Sequence, residues 1–440
     1  MHRSATDPRP RVLHLAQPVE GGVARVVLDL AKAQLTAGLR VTVACPGGEL
    51  AERARDLGAE VRGWRADRSP GTGLPDEVRR LGRLLDEVRP ALVHAHSAKA
   101  GLAGRLAVRG RVPTLFQPHA WSFEAVGGAT GALALRWERW GARWAHRVVC
   151  VSEAERATGV HAGIRARYTV VPNGIDTEHF TPGTPGSPGS PGALASPGSP
   201  DALVSPASPG SPGALASPGS PGSPDALVSP GSPAGPGERS ARAPLVVCVG
   251  RLCRQKGQDV LLRAWPEVLR RVPGARLALV GDGPDREALR LLAAAATPPT
   301  SVAAPVEFVG PVADVRPWYR AADLVVLPSR WEGMALAPLE ALACGRPVLV
   351  TDVDGARESL PPGQAAHCLV PPGRPGALAG AVAALLLDPE LRASLGDRGR
   401  RHVLSTHDVR RTAQAVAELY RELLGGQPLV SFERRESIHS

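Results

Sequence analysis

Residues 323–350 have the sequence DLVVLPSRWEGMALAPLEALACGRPVLV, and this stretch decides the fold. Its apolar run at 324–327 predicts a strand buried in a parallel sheet. A loop containing Gly333 follows, and then a helix, because Pro338 suits a first helical turn and Gly345 suits the position just past a helix end. A second apolar run then predicts the next strand. Strand, loop, helix and strand in this order are typical of an α/β domain.

Two acidic residues lie at the ligand-binding edge of this unit. Glu332 is predicted on the loop after the strand, and Glu340 in the first turns of the helix. Sheets of this class bind ligands at the carboxyl ends of their strands, and a helix N-terminus favours anions. If a diphosphate docks on the N–H groups of residues 334–337, the two glutamates can flank it and accept hydrogen bonds from sugar hydroxyls. Alternatively, Glu340 only complements the helix dipole and Glu332 is a solvated loop residue.

The step from Glu332 to Glu340, within Pro-Ser-Arg-Trp-Glu-Gly and Leu-Glu-Ala-Leu-Ala-Cys-Gly-Arg-Pro-Val, resembles the E-x7-E signature of family-4 retaining glycosyltransferases. Those enzymes have two Rossmann-like domains that face a cleft, the GT-B fold. The resemblance covers nearly the whole chain except a repeat segment and the ends. It implies an α/β protein with two such domains. Between them this chain carries an insertion rich in Pro, Gly and Ser, whose composition predicts disorder.

The length of 440 residues also predicts two domains rather than one. No run of 18 apolar residues predicts a membrane span, and the first ten residues lack the apolar core of a signal peptide. Six cysteines without a C-x-x-C pair indicate buried thiols in a reducing cytosol. The expected divisions are an N-terminal acceptor-side domain (1–180), a linker (181–240), a C-terminal nucleotide-sugar domain (241–405), a helix crossing back to the first domain (406–425) and a tail (426–440).

The linker is a tandem repeat. SPGALASPGSP occurs at 190–200 and again at 211–221, and DALVSP occurs at 201–206 and 225–230. This composition is too poor in apolar bulk to form a core, so the segment is predicted to be disordered. About 55 flexible residues span on the order of 40 Å, which neither closes a cleft nor prevents its closure.

Shortening this linker to a few residues should therefore leave turnover nearly unchanged. Initial rates of the full-length and shortened proteins, compared at equal concentration, provide the measurement. A large loss of activity in the shortened protein would contradict the prediction.

Charge is concentrated in the first domain. Residues 1–180 hold 26 Lys and Arg against 18 Asp and Glu, a net of +8 out of the total of +10. This domain could rest on an anionic bilayer or receive an anionic acceptor, or its arginines could simply be solvated. The predicted helix 133–146 carries three tryptophans among arginines. This pattern is typical of a helix at a membrane interface, but it also fits a helix whose indoles face the domain core while its arginines face water. No nucleic-acid partner is expected.

Three features of the first half are candidate site elements. Gly21 and Gly22 follow the first strand, where they let backbone approach a ligand. His94 and His96 share one face of a strand, but no third ligand of the right kind is apparent nearby, so no metal site is expected. His119 lies in Gln-Pro-His-Ala-Trp-Ser-Phe, which resembles the family's His-Gly-Trp-Ser-Phe variant. Although such a histidine is often structural, the resemblance implies that it orients the reacting sugar.

The second half supplies the cations. Arg251 and Lys256 lie on the loop Gly-Arg-Leu-Cys-Arg-Gln-Lys-Gly, where they are either solvated or placed to neutralise a diphosphate. This loop resembles the family motif whose basic pair stabilises the departing nucleotide diphosphate. Gly281 marks a second glycine turn, and Val309 lies in a strand that resembles the one whose backbone edge contacts the base. The Asp-Val-Asp at 352–354 resembles a metal-binding D-x-D but is expected to be a turn.

Together these features predict a metal-independent glycosyltransferase without a cofactor, using a nucleotide-diphosphate sugar in the cytoplasm or at the inner face of the membrane. The resemblance to family 4 implies in addition that it is a retaining enzyme. Its acceptor is expected to be a glycan or a polyprenyl-linked lipid of cell-surface polysaccharide or glycolipid synthesis. The alternatives are a natural-product glycosyltransferase, a sugar-nucleotide epimerase or hydrolase, and a non-catalytic nucleotide-sugar binding protein. The expected catalytic residues are Glu332, His119, Arg251 and Lys256, and the expected substrate-binding residues are Gly21, Gly22, Gly281, Val309, Gly333, Met334, Ala335, Leu336 and Glu340.

Overall fold

Parallel strands alternate with helices in both halves of the chain. The computed structural model describes residues 9–67, 71–183, 243–296 and 306–425. The repeat at 184–242 and the tail from 426 onward lie outside the described residues, and so does the disorder predicted for the linker.

The N-terminal domain is built on a seven-stranded parallel sheet with the order β3-β2-β1-β4-β5-β6-β7. Its strands are β1 (Arg11–Ala16), β2 (Arg40–Cys45), β3 (Glu60–Gly63), β4 (Leu92–His96), β5 (Thr114–Gln117), β6 (Arg147–Cys150) and β7 (Tyr168–Val170). Its helices are α1 (Gly21–Thr36), α2 (Glu49–Asp56), α3 (Leu74–Val88), α4 (Ser97–Val108), α5 (Gly128–Gly141) and α6 (Glu153–His161). β2 and β4 lie on opposite sides of β1, so the strand order reverses there and creates a crevice beyond the carboxyl end of β1.

The C-terminal domain has a six-stranded parallel sheet with the order β10-β9-β8-β11-β12-β13. Its strands are β8 (Leu245–Val249), β9 (Arg276–Val280), β10 (Val306–Gly310), β11 (Leu324–Leu327), β12 (Val348–Thr351) and β13 (Leu369–Val370). The helices are α7 (Gln258–Arg271), α8 (Arg286–Ala296), α9 (Arg316–Ala321), α10 (Leu336–Ala343), α11 (Ala365–Cys368), α12 (Pro375–Leu387), α13 (Pro389–Thr406) and α14 (Val409–Leu423). None of the helices in the described part of the chain is long and apolar enough to cross a membrane. Two α/β domains with parallel sheets confirm the predicted fold class.

The stretch that decides the fold has the predicted structure. All four residues of β11 are buried, as expected for a strand covered on both faces. Pro338 lies in the first turn of α10, and Gly345 adopts a φ of +73° just after that helix ends. A glycine is favoured there because other residues rarely adopt a left-handed conformation.

The last helix, α14, packs against α1 of the N-terminal domain. Ile175 pairs with Asp408 as a parallel bridge, and the Thr412 hydroxyl donates to the Pro172 carbonyl at 2.8 Å. Farther along the helix, Arg147 of β6 forms an ion pair with Glu422. These contacts join the two halves independently of the repeat linker.

The tryptophan helix differs from its predicted bounds and packing. α5 begins five residues before the predicted start and ends at Gly141, and a short 3-10 turn follows it. Trp137, Trp140 and Trp144 contact one another, but Trp140 is 42% exposed and the preceding Leu133 is 68% exposed. Packing into the domain core therefore accounts for only part of this aromatic cluster.

The loop after β5 has an uncommon backbone. His119 has a φ of +59° and Ala120 a φ of +131°, in the region that glycine adopts readily and residues with a Cβ rarely do. This conformation explains why the resembling family motif has glycine at the position of Ala120. The alanine is accommodated at a conformational cost.

Replacing Ala120 by glycine should raise the free energy of unfolding by about 1 kcal/mol. Glycine relieves the backbone strain of the folded protein, and this gain exceeds the loss that comes from the greater conformational entropy of the unfolded chain. Thermal unfolding of Ala120→Gly and the wild type gives the comparison. Ala162→Gly is the matched control, since Ala162 follows α6 with an ordinary φ of −69° and should lose stability. Equal losses in both variants would contradict the interpretation.

Candidate active site

The cationic loop and the acidic loop of the C-terminal domain meet in one ion pair. Lys256 Nζ lies 2.5 Å from Glu332 Oε1, and the Ser329 hydroxyl donates to the same carboxylate oxygen at 2.7 Å. The backbone of Ser329 is fixed in turn, because the Thr351 hydroxyl donates to its carbonyl at 2.5 Å. Glu332 is only 7% exposed, so its carboxylate is held by specific partners rather than by solvent. Among the described residues, its second oxygen, Oε2, has only a long contact of 3.5 Å with Gln255.

Arg251 lies two residues after the end of β8, on the loop that carries Lys256. Its Nε is buried and has no hydrogen-bond partner among the described residues. An unpaired buried guanidinium nitrogen is costly, and an anionic ligand would satisfy it. The end of this loop is packed tightly, because a Cβ at Gly257 would lie 2.0 Å from the Pro328 carbonyl oxygen. The turn after β9 packs against the start of the loop, where a Cβ at Gly281 would lie 2.3 Å from the Gly250 carbonyl oxygen.

Glu340 is buried on α10, and the Tyr319 hydroxyl donates to its Oε2 at 2.8 Å. Burial raises the pKa of this carboxyl, whereas Arg25 of the N-terminal domain and the Tyr319 hydrogen bond act in the opposite direction. At the start of the same helix, Ala335 is the N-cap and provides no side-chain cap, so the first N–H groups of α10 are available to a ligand. Met334 and Leu336 on either side of it are buried.

Gly333 lies where the two domains are in direct contact. A Cβ at this position would lie 2.9 Å from the His119 carbonyl carbon and 2.9 Å from Val151 Cγ2. The Ser152 hydroxyl donates to the Gly333 carbonyl at 3.0 Å, and the Asn173 amide donates to the Met334 carbonyl at 2.8 Å. The glycine therefore allows the loop that carries Glu332 to lie directly against the loop that carries His119.

The N-terminal glycines face the same region. Gly21 and Gly22 are the first two residues of α1 and are exposed, and Gly21 has a φ of +75°. A Cβ at Gly22 would lie 3.8 Å from Leu336 Cδ1, so the start of α1 faces the start of α10. Val309 lies in β10 at the outer edge of its sheet, one residue before Gly310, whose carbonyl accepts from the Gly281 amide at 2.8 Å.

The two aspartates of the D-x-D sequence form separate interactions. Asp352 pairs with Arg357, whereas Asp354 accepts a hydrogen bond from Thr158 of α6 at 2.8 Å. Glu358, four residues further on, accepts from the amides of Glu153 and Ala154 at 2.7 and 2.9 Å. The segment after β12 is therefore bonded to the N-terminus of α6 across the domain boundary.

Sequence reasoning missed Glu155, which is fully buried behind the His119 loop. Its Oε2 accepts from the Val151 amide at 2.7 Å, and its Oε1 has no partner among the described residues. Burial raises the pKa of this carboxyl to about 8, against the effect of the hydrogen bond from the Val151 amide. The sequence just before it, Val151-Ser152-Glu153, gives no signal of this burial.

A third histidine joins the two seen in the sequence. His14 of β1 lies beside His94 and His96 of β4, and one nitrogen of each ring lies within 4.8 Å of the other two. The expectation that no third ligand is nearby was wrong, because adjacent parallel strands bring together positions 14 and 94. Histidine rings are common metal ligands, so this cluster could hold a metal ion. The distance between His14 Nδ1 and His96 Nε2, however, is 3.0 Å, which is a hydrogen-bond length. Two nitrogen ligands of a tetrahedral zinc ion are expected to lie about 3.3 Å apart.

The protein has two domains with parallel sheets that enclose a cleft, and one wall of the cleft carries a basic loop and the uncapped start of a helix. This architecture defines a GT-B protein. The solved structure of Anabaena HepE with UDP and glucose has this architecture, with a TM-score of 0.72, 22% identity, and coverage of 94% of this chain and 100% of that one. Sucrose-phosphate synthase of Thermosynechococcus elongatus also has a TM-score of 0.72, at 21% identity, with 95% and 100% covered.

The sequence comparisons give the family. The model described as Glycosyltransferase Family 4 matches residues 20–179, and the model described as Glycosyl transferases group 1 matches residues 243–388. The chain belongs to the family-4 glycosyltransferases, as its E-x7-E resemblance predicted.

Curated relatives are similar over part of the chain. The GDP-mannose-dependent α-(1-6)-phosphatidylinositol monomannoside mannosyltransferase of Mycolicibacterium smegmatis is 38% identical over 185 residues, which are 40% of this chain and 47% of the relative. A lipopolysaccharide core biosynthesis mannosyltransferase of Rhizobium leguminosarum is 33% identical over 188 residues, 41% of this chain and 51% of the relative. The matches thus span about half the length of these relatives.

The buried histidines predict how stability depends on pH. Burial lowers the pKa of His14 from 6.5 to about 4, so between these values the unfolded chain binds a proton that the folded protein does not. Lowering the pH from 7 to 5 should therefore cost about 2 kcal/mol of stability through His14 alone.

The measurement is thermal or denaturant unfolding of the wild type and His14→Gln between pH 5 and 8. The variant should have the shallower pH dependence. His161→Gln, at the exposed end of α6, is the control and should keep the wild-type slope. Identical slopes for wild type and His14→Gln would show that His14 is not held neutral by burial.

Proposed function

We propose that this protein is a retaining, metal-independent glycosyltransferase that moves a sugar from a nucleotide-diphosphate sugar to an acceptor of cell-surface glycan or glycolipid synthesis. The observation that carries the proposal is the Lys256–Glu332 pair, which lies beside the uncapped start of α10 and against the His119 loop of the opposite domain. A cation, free amides and a fixed carboxylate in one cleft suit a substrate that joins a diphosphate to a polyhydroxylated ring.

Arg251 and Lys256 bind the diphosphate in this proposal. The unpaired Nε of Arg251 offers a directional donor, and Lys256 offers a point charge on a flexible stem. The amides at the start of α10 add the partial positive charge of a helix N-terminus. Negative charge grows on the diphosphate as its bond to the sugar breaks, and these groups stabilise it without requiring a metal ion.

The two glutamates bind the hydroxyl groups on either side of the diphosphate. Glu332 Oε2 is nearly free of protein partners and accepts from a sugar hydroxyl, while Lys256 and Ser329 hold Oε1 in place. Glu340 uses Oε2 for Tyr319 and accepts from the ribose with its other oxygen. His119 contacts the sugar from the N-terminal domain. Support for retention of the anomeric configuration comes from the family that the chain belongs to.

The donor and acceptor are suggested by the relatives. Those named here use GDP-mannose or build the lipopolysaccharide core, and HepE was solved with UDP and glucose. The higher sequence identity lies with the mannosyltransferases, so GDP-mannose is the first donor to test. An acceptor carried on a lipid, polyprenyl-linked or otherwise, agrees with the positive charge of the N-terminal domain. It also agrees with Leu133 and Trp140, which are exposed among the arginines of α5. Such a surface suits contact with the cytoplasmic face of an anionic membrane.

Lys256→Ala and Glu332→Ala should each reduce kcat/KM for sugar transfer by at least about 100-fold, because each removes a charged contact with the transition state. Glu332→Gln keeps the shape of the side chain and should show a similar loss. Circular dichroism and thermal unfolding verify that each variant is folded.

Arg270→Ala is the control for charge removal in the same domain, since Arg270 pairs with Glu267 on the exposed face of α7. It should retain wild-type activity. Normal turnover in folded Lys256→Ala or Glu332→Ala would remove these residues from the proposed site.

The reaction itself is tested by incubating the protein with GDP-mannose or UDP-glucose, with and without a lipid-linked acceptor. Transfer with the α configuration retained, as read by NMR of the product, is the expected result. Release of free sugar without acceptor as the main activity would indicate a hydrolase, and tight nucleotide binding without turnover would indicate a binding protein.

A further inference from the structure

A chain of hydrogen bonds runs through the N-terminal domain from Gln34 on α1 to His119 in the cleft. His14 Nε2 lies 2.8 Å from Gln34 Oε1, and His14 Nδ1 lies 3.0 Å from His96 Nε2. His96 Nδ1 then lies 3.2 Å from His119 Nε2. Four side chains from α1, β1, β4 and the loop after β5 are thus linked in series.

The rings in this chain are neutral. His14 and His96 have no exposed surface, and burial lowers the pKa of both, with the neighbouring histidines adding to the effect at His96. Burial also lowers the pKa of His119 to about 3. A neutral imidazole has one N–H and one nitrogen lone pair, so each ring must donate on one side and accept on the other.

The amide of Gln34 sets the direction of the chain. Its carbonyl oxygen can only accept, so His14 carries its proton on Nε2 and accepts on Nδ1. His96 must then donate from Nε2 to His14 and accept on Nδ1. His119 in turn donates from Nε2 to His96, which leaves a lone pair on its Nδ1.

A second branch agrees with this orientation of Gln34. Its amide nitrogen donates to the Tyr420 oxygen at 3.3 Å, and Tyr420 lies 2.8 Å from His94 Nδ1, to which its hydroxyl can donate. The amide nitrogen thus has an acceptor on α14, and the amide oxygen is directed to His14. A single glutamine orients both branches, and the second branch passes through Tyr420 of α14.

The exposed end of the chain is His119 Nδ1. This nitrogen makes no hydrogen bond within the described residues. Protein atoms do not enclose it completely, so it is open to a ligand. Because the His119 loop lies against Gly333, this nitrogen belongs to the wall of the cleft opposite Glu332.

We propose that Gln34 is a positioning residue that fixes His119 as the Nε2–H tautomer, so that His119 presents Nδ1 as an acceptor for a hydroxyl group of the bound sugar. The sugar contact rests on the proposed function, whereas the tautomer is a property of the protein alone. A ring fixed in this way selects a hydroxyl donor over a group that only accepts hydrogen bonds.

The tautomer is measured by NMR of the full-length protein with 15N-labelled histidine, with the His119 signals assigned by their loss in His119→Gln. An unprotonated Nδ1 and a protonated Nε2 at pH 7 are expected. A protonated Nδ1 would overturn the proposal, and so would a stoichiometric metal ion bound by the three buried histidines and detected by elemental analysis of the purified protein.

The origin of the tautomer is tested with three substitutions. Gln34→Leu removes the acceptor and should produce a mixture of His119 tautomers, whereas Gln34→Glu supplies another acceptor and should restore one. Tyr420→Phe is the matched control, because it removes the other partner of Gln34 and should leave the His119 signal unchanged. An unchanged His119 signal in Gln34→Leu, or a changed one in Tyr420→Phe, would contradict the proposal.

Kinetics test the sugar contact separately. Gln34→Leu should raise the KM for the donor about fivefold, the effect of weakening one hydrogen bond, and should have no further effect in a His119→Ala background. Additive effects of the two substitutions would indicate a structural role for Gln34 and overturn the proposal. If no sugar transfer is observed, the proposed function fails while the NMR result still decides the tautomer.

Discussion

The close contact at Gly333 is the constraint on which the arrangement of the cleft depends. A Cβ there would lie within 3.0 Å of atoms of His119, Val151 and Glu155, and a Cβ at Gly355 would lie 2.0 Å from the Gly333 carbonyl oxygen. The loop after β11 is therefore enclosed by the opposite domain on one side and by its own domain on the other. Overlap of this kind cannot be relieved by rotating a flexible side chain, because backbone atoms form part of both surfaces.

This contact explains how residues with separate tasks come to share one cleft. Glu332 precedes Gly333 directly, and Met334 follows it with its carbonyl bonded to Asn173 of the N-terminal domain. The Ser152 and Glu358 contacts anchor the same boundary at the start of α6. A few polar contacts thus hold the cationic loop of one domain opposite the histidine loop of the other, which is the geometry that transfer between a donor and an acceptor site requires.

The buried polar groups of the N-terminal domain are the other unusual feature of the structure. Neutral histidines in a core are costly unless each nitrogen finds a partner, and a partly satisfied network is the least favourable case. Here Gln34 and Tyr420 supply partners from α1 and α14, while His94 Nε2 has no partner among the described residues. The last helix therefore contributes hydrogen bonds to the network as well as apolar contact to the domain. The buried histidines and the orientation of the His119 ring therefore depend on the same set of hydrogen bonds.

The sequence by itself determined the local elements and their chemical type. The apolar run before Pro328, the positions of Pro338 and Gly345, and the spacing of Glu332 and Glu340 follow from short-range patterns, and these predicted the α/β class and the family. Ala120 is notable because its neighbours resemble a motif that has glycine at this position. Its φ of +131° explains the glycine of the motif. Such features are encoded within a few residues of chain, where propensity and sterics act directly.

Only the tertiary structure decided which distant residues meet. Gln34 and Tyr420 are 386 positions apart, and nothing in the sequence of β1 shows that His14 meets the histidines of β4. Glu155 and Glu358 gave no pattern that distinguishes a buried or cross-domain carboxylate from a solvated one. Their roles depend on sheet order and domain docking, because parallel strands and long crossovers bring together residues whose separation in sequence carries no periodic signal.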